Sequence, residues 1–158
     1  MKNKTTLNII LFISIIALVS AYFIEYVLGY KPCNLCLIER LPYFFAILFI
    51  FLSLIINRLE KITLITLALI FAVAAVLSFY HFGIEQGFFS ESLACISSNE
   101  INNLSKEDLI KELQKEVVSC KDVQFTLLGL SLTSINALIS LVLSVITFKL
   151  FLDYEKNR

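Results

Sequence analysis

Four cysteines are the residues in this chain best suited to covalent chemistry, and they fall into two unlike pairs. Cys33-Asn34-Leu35-Cys36 is a C-x-x-C, whereas Cys95 and Cys120 stand twenty-five positions apart. Two residues three apart at the start of a helix share a face and close a small bridge. Such a tight ring is more easily reduced than a bridge across a long loop. A helix N-terminus and a nearby cation both favour the thiolate, the form that attacks a disulfide. Pro32 suits the first turn of a helix opening at the motif. Arg40, four positions after Cys36, would lie beneath that sulfur on a continuous helix, and Pro42 should kink or restart that helix. Cys33–Cys36 is therefore expected to be redox-active, with Cys95–Cys120 as a mobile disulfide that exchanges with it. Two inert bridges are the alternative. A closed zinc site is disfavoured, because the second pair is widely spaced and no second C-x-x-C recurs. No metal is expected.

The elements that must position these sulfurs are apolar. The 158 residues are 58% hydrophobic and 16% charged, with mean hydropathy +0.85. An ordinary soluble domain is about 45–50% apolar and about 25% charged. Thirteen Lys+Arg balance thirteen Asp+Glu, which leaves no basic face for nucleic acid. Four Gly and two Pro exclude collagen-like and low-complexity classes. A helix crosses a hydrocarbon core of about 30 Å with about 20 residues, and four stretches reach or approach that length. Their approximate bounds are 7–28, 36–57, 62–80 and 125–152. The second attains full length only if its helix begins near Cys36. The runs are continuous, with no alternation of period two, so helices are expected rather than barrel strands. The expected fold is all-α: one integral membrane four-helix bundle spanning residues 1–158.

Charge at the span ends orients the bundle. Lys2, Lys4, Arg58, Lys61, Lys149, Lys156 and Arg158 flank one side, against Lys31 and Arg40 in the short loop of the other. The positive-inside rule then puts both termini in the cytoplasm. Loops 29–40 and 81–124 face outward, the second with eight acids and four bases between Phe82 and Gln124. All four cysteines lie in these outward loops, where an even number in an oxidising compartment implies disulfides. Val19-Ser20-Ala21 offers a signal-peptide cleavage site. Retention of the first span is preferred, because its apolar run continues to Leu28. Glu25 within that run reads as an acid reaching water at the outer interface, and Tyr43 and Tyr80 read as interface-belt residues. His81, the single histidine, falls at the outward end of span three. It reads as a hydrogen-bonding anchor or as a proton donor to a bound acceptor. In the long loop, Ser105 and Asp108 form a capping box, and Leu109, Leu113 and Val117 recur every four residues. These predict a short amphipathic helix lying on the membrane or on the outer ends of the spans.

Lys31-Pro32-Cys33-Asn34-Leu35-Cys36-Leu37-Ile38-Glu39-Arg40 resembles the first outward loop of the DsbB family, the bacterial disulfide bond formation proteins B. Tyr80-His81-Phe82-Gly83-Ile84-Glu85 is similar to the segment ahead of that family's third cysteine. Leu128-Gly129-Leu130-Ser131, with Asn136 following, is similar to the start of its last span. Many relatives carry Trp where this chain has Phe88, Phe89 and Phe125; a role needing an indole N–H is then absent, but a stacking role is not. The resemblance implies an inner-membrane thiol oxidoreductase that reoxidises a periplasmic DsbA-like thioredoxin-fold oxidase. Electrons then pass to a membrane quinone, ubiquinone or menaquinone. By the same resemblance, Cys95 forms the mixed disulfide with the partner and Cys120 shuttles to Cys33. Cys36 faces the quinone as a thiolate, Arg40 steadies it, and His81 lies near the quinone ring. Two further readings stand beside it: a quinone reductase like vitamin K epoxide reductase, and a non-enzymatic, disulfide-braced membrane binding protein.

Overall fold

Runs of Leu, Ile, Phe and Val without internal proline propagate as helix until a breaker intervenes, and the breakers set the elements. A computed structural model describes residues 2–56, 59–90, 95, 118–121, 125–127 and 129–156. Helix α1 spans Lys2–Tyr26, α2 Asn34–Ile38, α3 Leu41–Ile55, α4 Glu60–Glu85 and α5 Leu132–Lys156. A two-residue antiparallel pair, β1 Thr126–Leu127 and β2 Leu130–Ser131, precedes α5. Counting α2 and α3 as one broken span, four helices are long and apolar enough to cross a membrane. The all-α four-helix expectation is met. The amphipathic helix expected around Ser105–Val117 lies outside the described residues.

The element bounds differ from the expected spans for local reasons. The second span is interrupted at Glu39–Arg40, and Pro42 sits in the first turn of α3. Proline has no N–H to give to the turn before it, so the helix restarts there, as the sequence predicts. Pro32 does not occupy the first turn of α2; it lies one residue before the cap. Cys33 itself is the N-cap, its sulfur accepting the Cys36 backbone N–H at 3.3 Å. Helix α4 runs five residues past the expected Tyr80, because nothing stops it before Gly87. There φ of +78° allows a left-handed stop. Gly87 N–H then bonds Ile84 O and Phe88 N–H bonds Gly83 O, a Schellman closure. At the other end of the long segment, Gly129 (φ +82°) turns β1 into β2. Ser131 then caps α5, its Oγ accepting the Ser134 N–H.

Helix α5 packs most extensively on α4, α1 packs on α3, and α3 bridges to α4. Ala46, Ala74, Ser78 and Ser140 are fully buried at these seams. Small side chains let apolar helices approach closely when lipid supplies no hydrophobic drive. Leu7, Ile10, Tyr43, Ile50, Leu64, Leu67, Phe71 and Leu143 fill the interior. The outward faces expose Phe12, Phe44, Leu69, Phe79, Leu141 and Phe148, an apolar exterior that suits hydrocarbon and not water. Tyr43 is not a belt residue: it is buried, with its ring edge-on to Phe71.

Gly83 marks a close approach. A Cβ there would lie 2.2 Å from the Phe89 ring, which stacks on Tyr80 with centroids 5.5 Å apart. Gly83→Ala is expected to cost about 1–3 kcal/mol by overpacking, read by thermal unfolding in detergent. Adding Phe89→Ala should recover most of that loss.

Candidate functional site

The ends of α1 and α4, the start of α5 and all of α2 meet at one end of the bundle, and the cysteines gather there. Cys33, Leu35, Ile84, Cys95 and Cys120 form one buried cluster, with Cys36, Tyr80 and Val118 against it. Cys95 and Cys120 are joined as a disulfide, their Cα atoms 5.7 Å apart. Cys33 and Cys36 are free thiols whose sulfurs lie 2.6 Å apart, so closing a bridge needs only a small side-chain movement. Both pairs are thus in one apolar nest, although some sixty residues separate them in the chain.

A polar chain runs inward from Cys33. Its sulfur lies 3.6 Å from His81 Nε2. His81 Nδ1 is 2.9 Å from Glu39 Oε1. Asn136 Nδ2 donates to Glu39 Oε2 and to Ser78 Oγ, each at 2.8 Å. Tyr43 O–H donates to Asn136 Oδ1 at 2.5 Å. Thr133 O–H donates to Glu85 Oε1 at 2.6 Å. His81 and Glu39 are 1% and 8% exposed, so water cannot substitute for these partners. Groups left unpaired in such a place cost more than in water. The Glu39 carboxylate holds the ring proton on Nδ1, which leaves Nε2 facing Cys33 as an acceptor when the ring is neutral.

Cys33 lies ahead of the second span. The hydrogen bond with the Cys36 sulfur, the His81 ring and the Cys36 backbone N–H together outweigh burial. They bring the Cys33 thiol down from 9.0 to about 5. A lowered thiol pKa means that the thiolate is present above about pH 5 and lost only as pH falls through that value. In reduced protein, the rate of Cys33 alkylation plotted against pH is expected to turn at about pH 5. His81→Asn should move that turning point upward.

Arg40 is not beneath Cys36 on a continuous helix, because the break at Glu39–Arg40 redirects it. Its guanidinium pairs with Glu25 of α1 and lies 5.0 Å over the Tyr22 ring. Glu25, read from sequence as an acid reaching for water, is therefore the anchor of Arg40. A cavity of about 670 Å³ opens below the cysteines, with Cys33, Cys36, Arg40, His81 and Cys120 on its wall. The rest of its lining is mostly apolar, chiefly from α1 and α5, and includes Phe125, edge-on to Tyr30. Glu85 also borders the cavity, and its Oε2 is buried with no hydrogen-bond partner among the described residues.

Of the expected site residues, Cys33, Cys36, Cys120, Arg40 and His81 meet on this wall, and Cys95 is tied to them through Cys120. Glu39, Asn136, Glu85 and Thr133 are not among the site residues expected from sequence, although the first three stand in or beside the motifs that carry the resemblance. Glu39 had a usable signal: a carboxyl at the edge of an apolar span is costly and marks function.

Comparison with known proteins gives the same direction. The family model described as disulfide bond formation protein DsbB matches residues 3–150. A Rickettsia prowazekii (strain Madrid E) protein, named only as uncharacterized protein RP370, is 37% identical over 154 residues. The match covers 96% of this chain and 89% of that protein.

Proposed function

This chain belongs to the DsbB family of membrane proteins for disulfide bond formation, and from that premise we propose the direction and endpoints of its electron flow. It takes electron pairs from a DsbA-like thioredoxin-fold oxidase in the periplasm and delivers them to a membrane quinone. The bundle lies in the bacterial inner membrane, with both termini cytoplasmic and the cysteine end periplasmic. The observation that carries this reading is the cavity: Cys33, Cys36 and Cys120 border one mostly apolar space, and Cys95 is bonded to Cys120. A dithiol oxidase needs an acceptor for its electrons, and such a space suits a lipid-soluble one.

The exchange steps balance as follows. A thiolate of the partner attacks Cys95, the Cys95–Cys120 bond breaks, and Cys120 leaves as a thiolate. Cys120 attacks Cys33 of an oxidised Cys33–Cys36 pair, and Cys36 leaves as a thiolate toward the cavity. The partner's second thiolate then displaces Cys95, releasing oxidised partner, and Cys95 displaces Cys33 from Cys120. Two electrons and two protons have moved from the partner to Cys33 and Cys36. Cys95 is itself buried, so docking must uncover it.

The residues present fit a quinone. Ile16, Val19, Ile24 and Ile139 offer an apolar path, and Glu85 Oε2, which has no hydrogen-bond partner among the described residues, suits a hydroxyl of the reduced quinol. Arg40 and His81 border the same cavity as Cys36. The bound quinone supplies a two-electron, two-proton acceptor. Arg40, pinned by Glu25, presents a fixed cation there, and His81 takes the Cys33 proton at Nε2. Arg40→His is expected to raise KM for quinone about 10-fold, the scale of one charge-assisted hydrogen bond. Exchange with the partner should be unaffected.

The test is complementation. The chain is expressed in a bacterium lacking its own quinone-linked thiol oxidase, and partner thiols are trapped with a maleimide. The partner is expected to shift from reduced to oxidised. A partner that stays reduced, with the chain present in the membrane, would overturn the reading.

A further inference from the structure

The polar chain behind Cys33 has a second chemical use that disulfide exchange does not require. The Cys33 sulfur, the Cys36 sulfur and a His81 ring nitrogen lie within 4.8 Å of one another. His81 presents Nε2 to Cys33 while Glu39 accepts from Nδ1. A carboxylate behind a histidine, two thiols in front of it and an adjoining cavity are the parts of a soft-metal site. We propose that the reduced protein binds one thiophilic divalent cation of the Zn²⁺ class through Cys33, Cys36 and His81, with Glu39 orienting the ring. Such a cation is held only when the C-x-x-C pair is reduced, and it blocks the pair while bound.

One edge already has the length that a tetrahedral ion needs, and a second needs one side chain to move. Zn–S bonds of about 2.3 Å and Zn–N bonds of about 2.0–2.1 Å set the sulfur-to-nitrogen edge at about 3.5 Å. The observed separation of Cys33 Sγ and His81 Nε2 is 3.6 Å. The sulfur-to-sulfur edge should be about 3.7 Å, against 2.6 Å now, so Cys36 must swing outward by roughly 1 Å. Cys36 is only partly buried and borders the cavity, which gives it room to do so. Water from the same space completes the fourth position. Thiolate ligands select Zn²⁺ and its congeners over Mg²⁺ or Ca²⁺. Binding releases the Cys36 thiol proton and any proton that His81 Nε2 has taken from Cys33, and it transfers no electrons. Oxidation of the pair removes both thiolates, so redox state gates the site.

The test uses full-length protein in detergent with Cys95 and Cys120 replaced by Ser, so that only the C-x-x-C thiols contribute. Cd²⁺ binding is followed by thiolate-to-metal ultraviolet absorption, and Zn²⁺ binding by competition with a chromophoric chelator. One ion per reduced chain is expected, with absorption for two thiolates, and none per oxidised chain. Glu39→Gln should weaken binding about 10-fold, in the range for the partner of a ligating histidine. His81→Asn should weaken it more, with two-thiolate absorption retained. Equal binding to reduced and oxidised protein overturns the proposal. So does tight binding that neither substitution changes, since that is a simple dithiol chelate. The oxidised-against-reduced comparison needs no substitution at His81 or Glu39, and none of these readouts depends on quinone or partner.

Discussion

With Ala in place of Cys120, the chain is expected to accumulate a covalent complex with its thioredoxin-fold partner, and with Ala in place of Cys95 it is expected to form none. The reason lies in which sulfur can resolve the complex. Cys120 is bonded to Cys95 and also borders the cavity with Cys33 and Cys36, so it is the sulfur placed to pass electrons onward. Without it, a lone Cys95 thiolate attacks an oxidised partner, and Cys120 is no longer there to take Cys95 back into its own disulfide; return of the partner's second thiolate merely reverses the attack. Non-reducing electrophoresis reads the result as a band heavier by the partner's mass that disappears on reduction. The contrast should be nearly all-or-none between the two variants. Equal trapping by both would show that the two sulfurs do not have distinct roles.

Cys36→Ser is expected to bring steady-state oxidation of the partner to background. A single exchange between partner and Cys95–Cys120 should survive. Serine keeps the shape but cannot form a disulfide, so Cys33 has no sulfur with which to store an electron pair. Removal of a nucleophile elsewhere costs up to about 10⁶-fold, and a loss of at least about 10³-fold is the scale expected here. Rapid mixing separates the two events: one partner disulfide per chain, then no turnover. Continued turnover would mean that electrons leave by a route that bypasses the C-x-x-C.

The parts of this molecule legible in the sequence are those governed by local rules. The four spans follow from unbroken apolar length, and the restart at α3 from Pro42. The grouping of the cysteines at one end follows from where they fall relative to the spans. What escaped depends on contacts between distant segments. Arg40 and Glu25 are fifteen residues apart, and no spacing rule joins the end of one span to the break in another. Glu39, Ser78 and Asn136 are joined only because α3, α4 and α5 face one another at that depth. The sequence read His81 as an end-of-span residue. The helix carries it inward instead, since the first stop beyond Tyr80 is the left-handed Gly87. That extra turn and a half puts the imidazole between Cys33 and Glu39.

The most direct measurement follows anaerobic oxidation of a reduced DsbA-like protein by the purified chain in lipid nanodiscs, with and without added quinone. The account predicts catalytic disulfide formation only with quinone present, and one quinol formed for each partner disulfide. Partner oxidation that ignores quinone, or none at all from folded protein with both cysteine pairs intact, would contradict it.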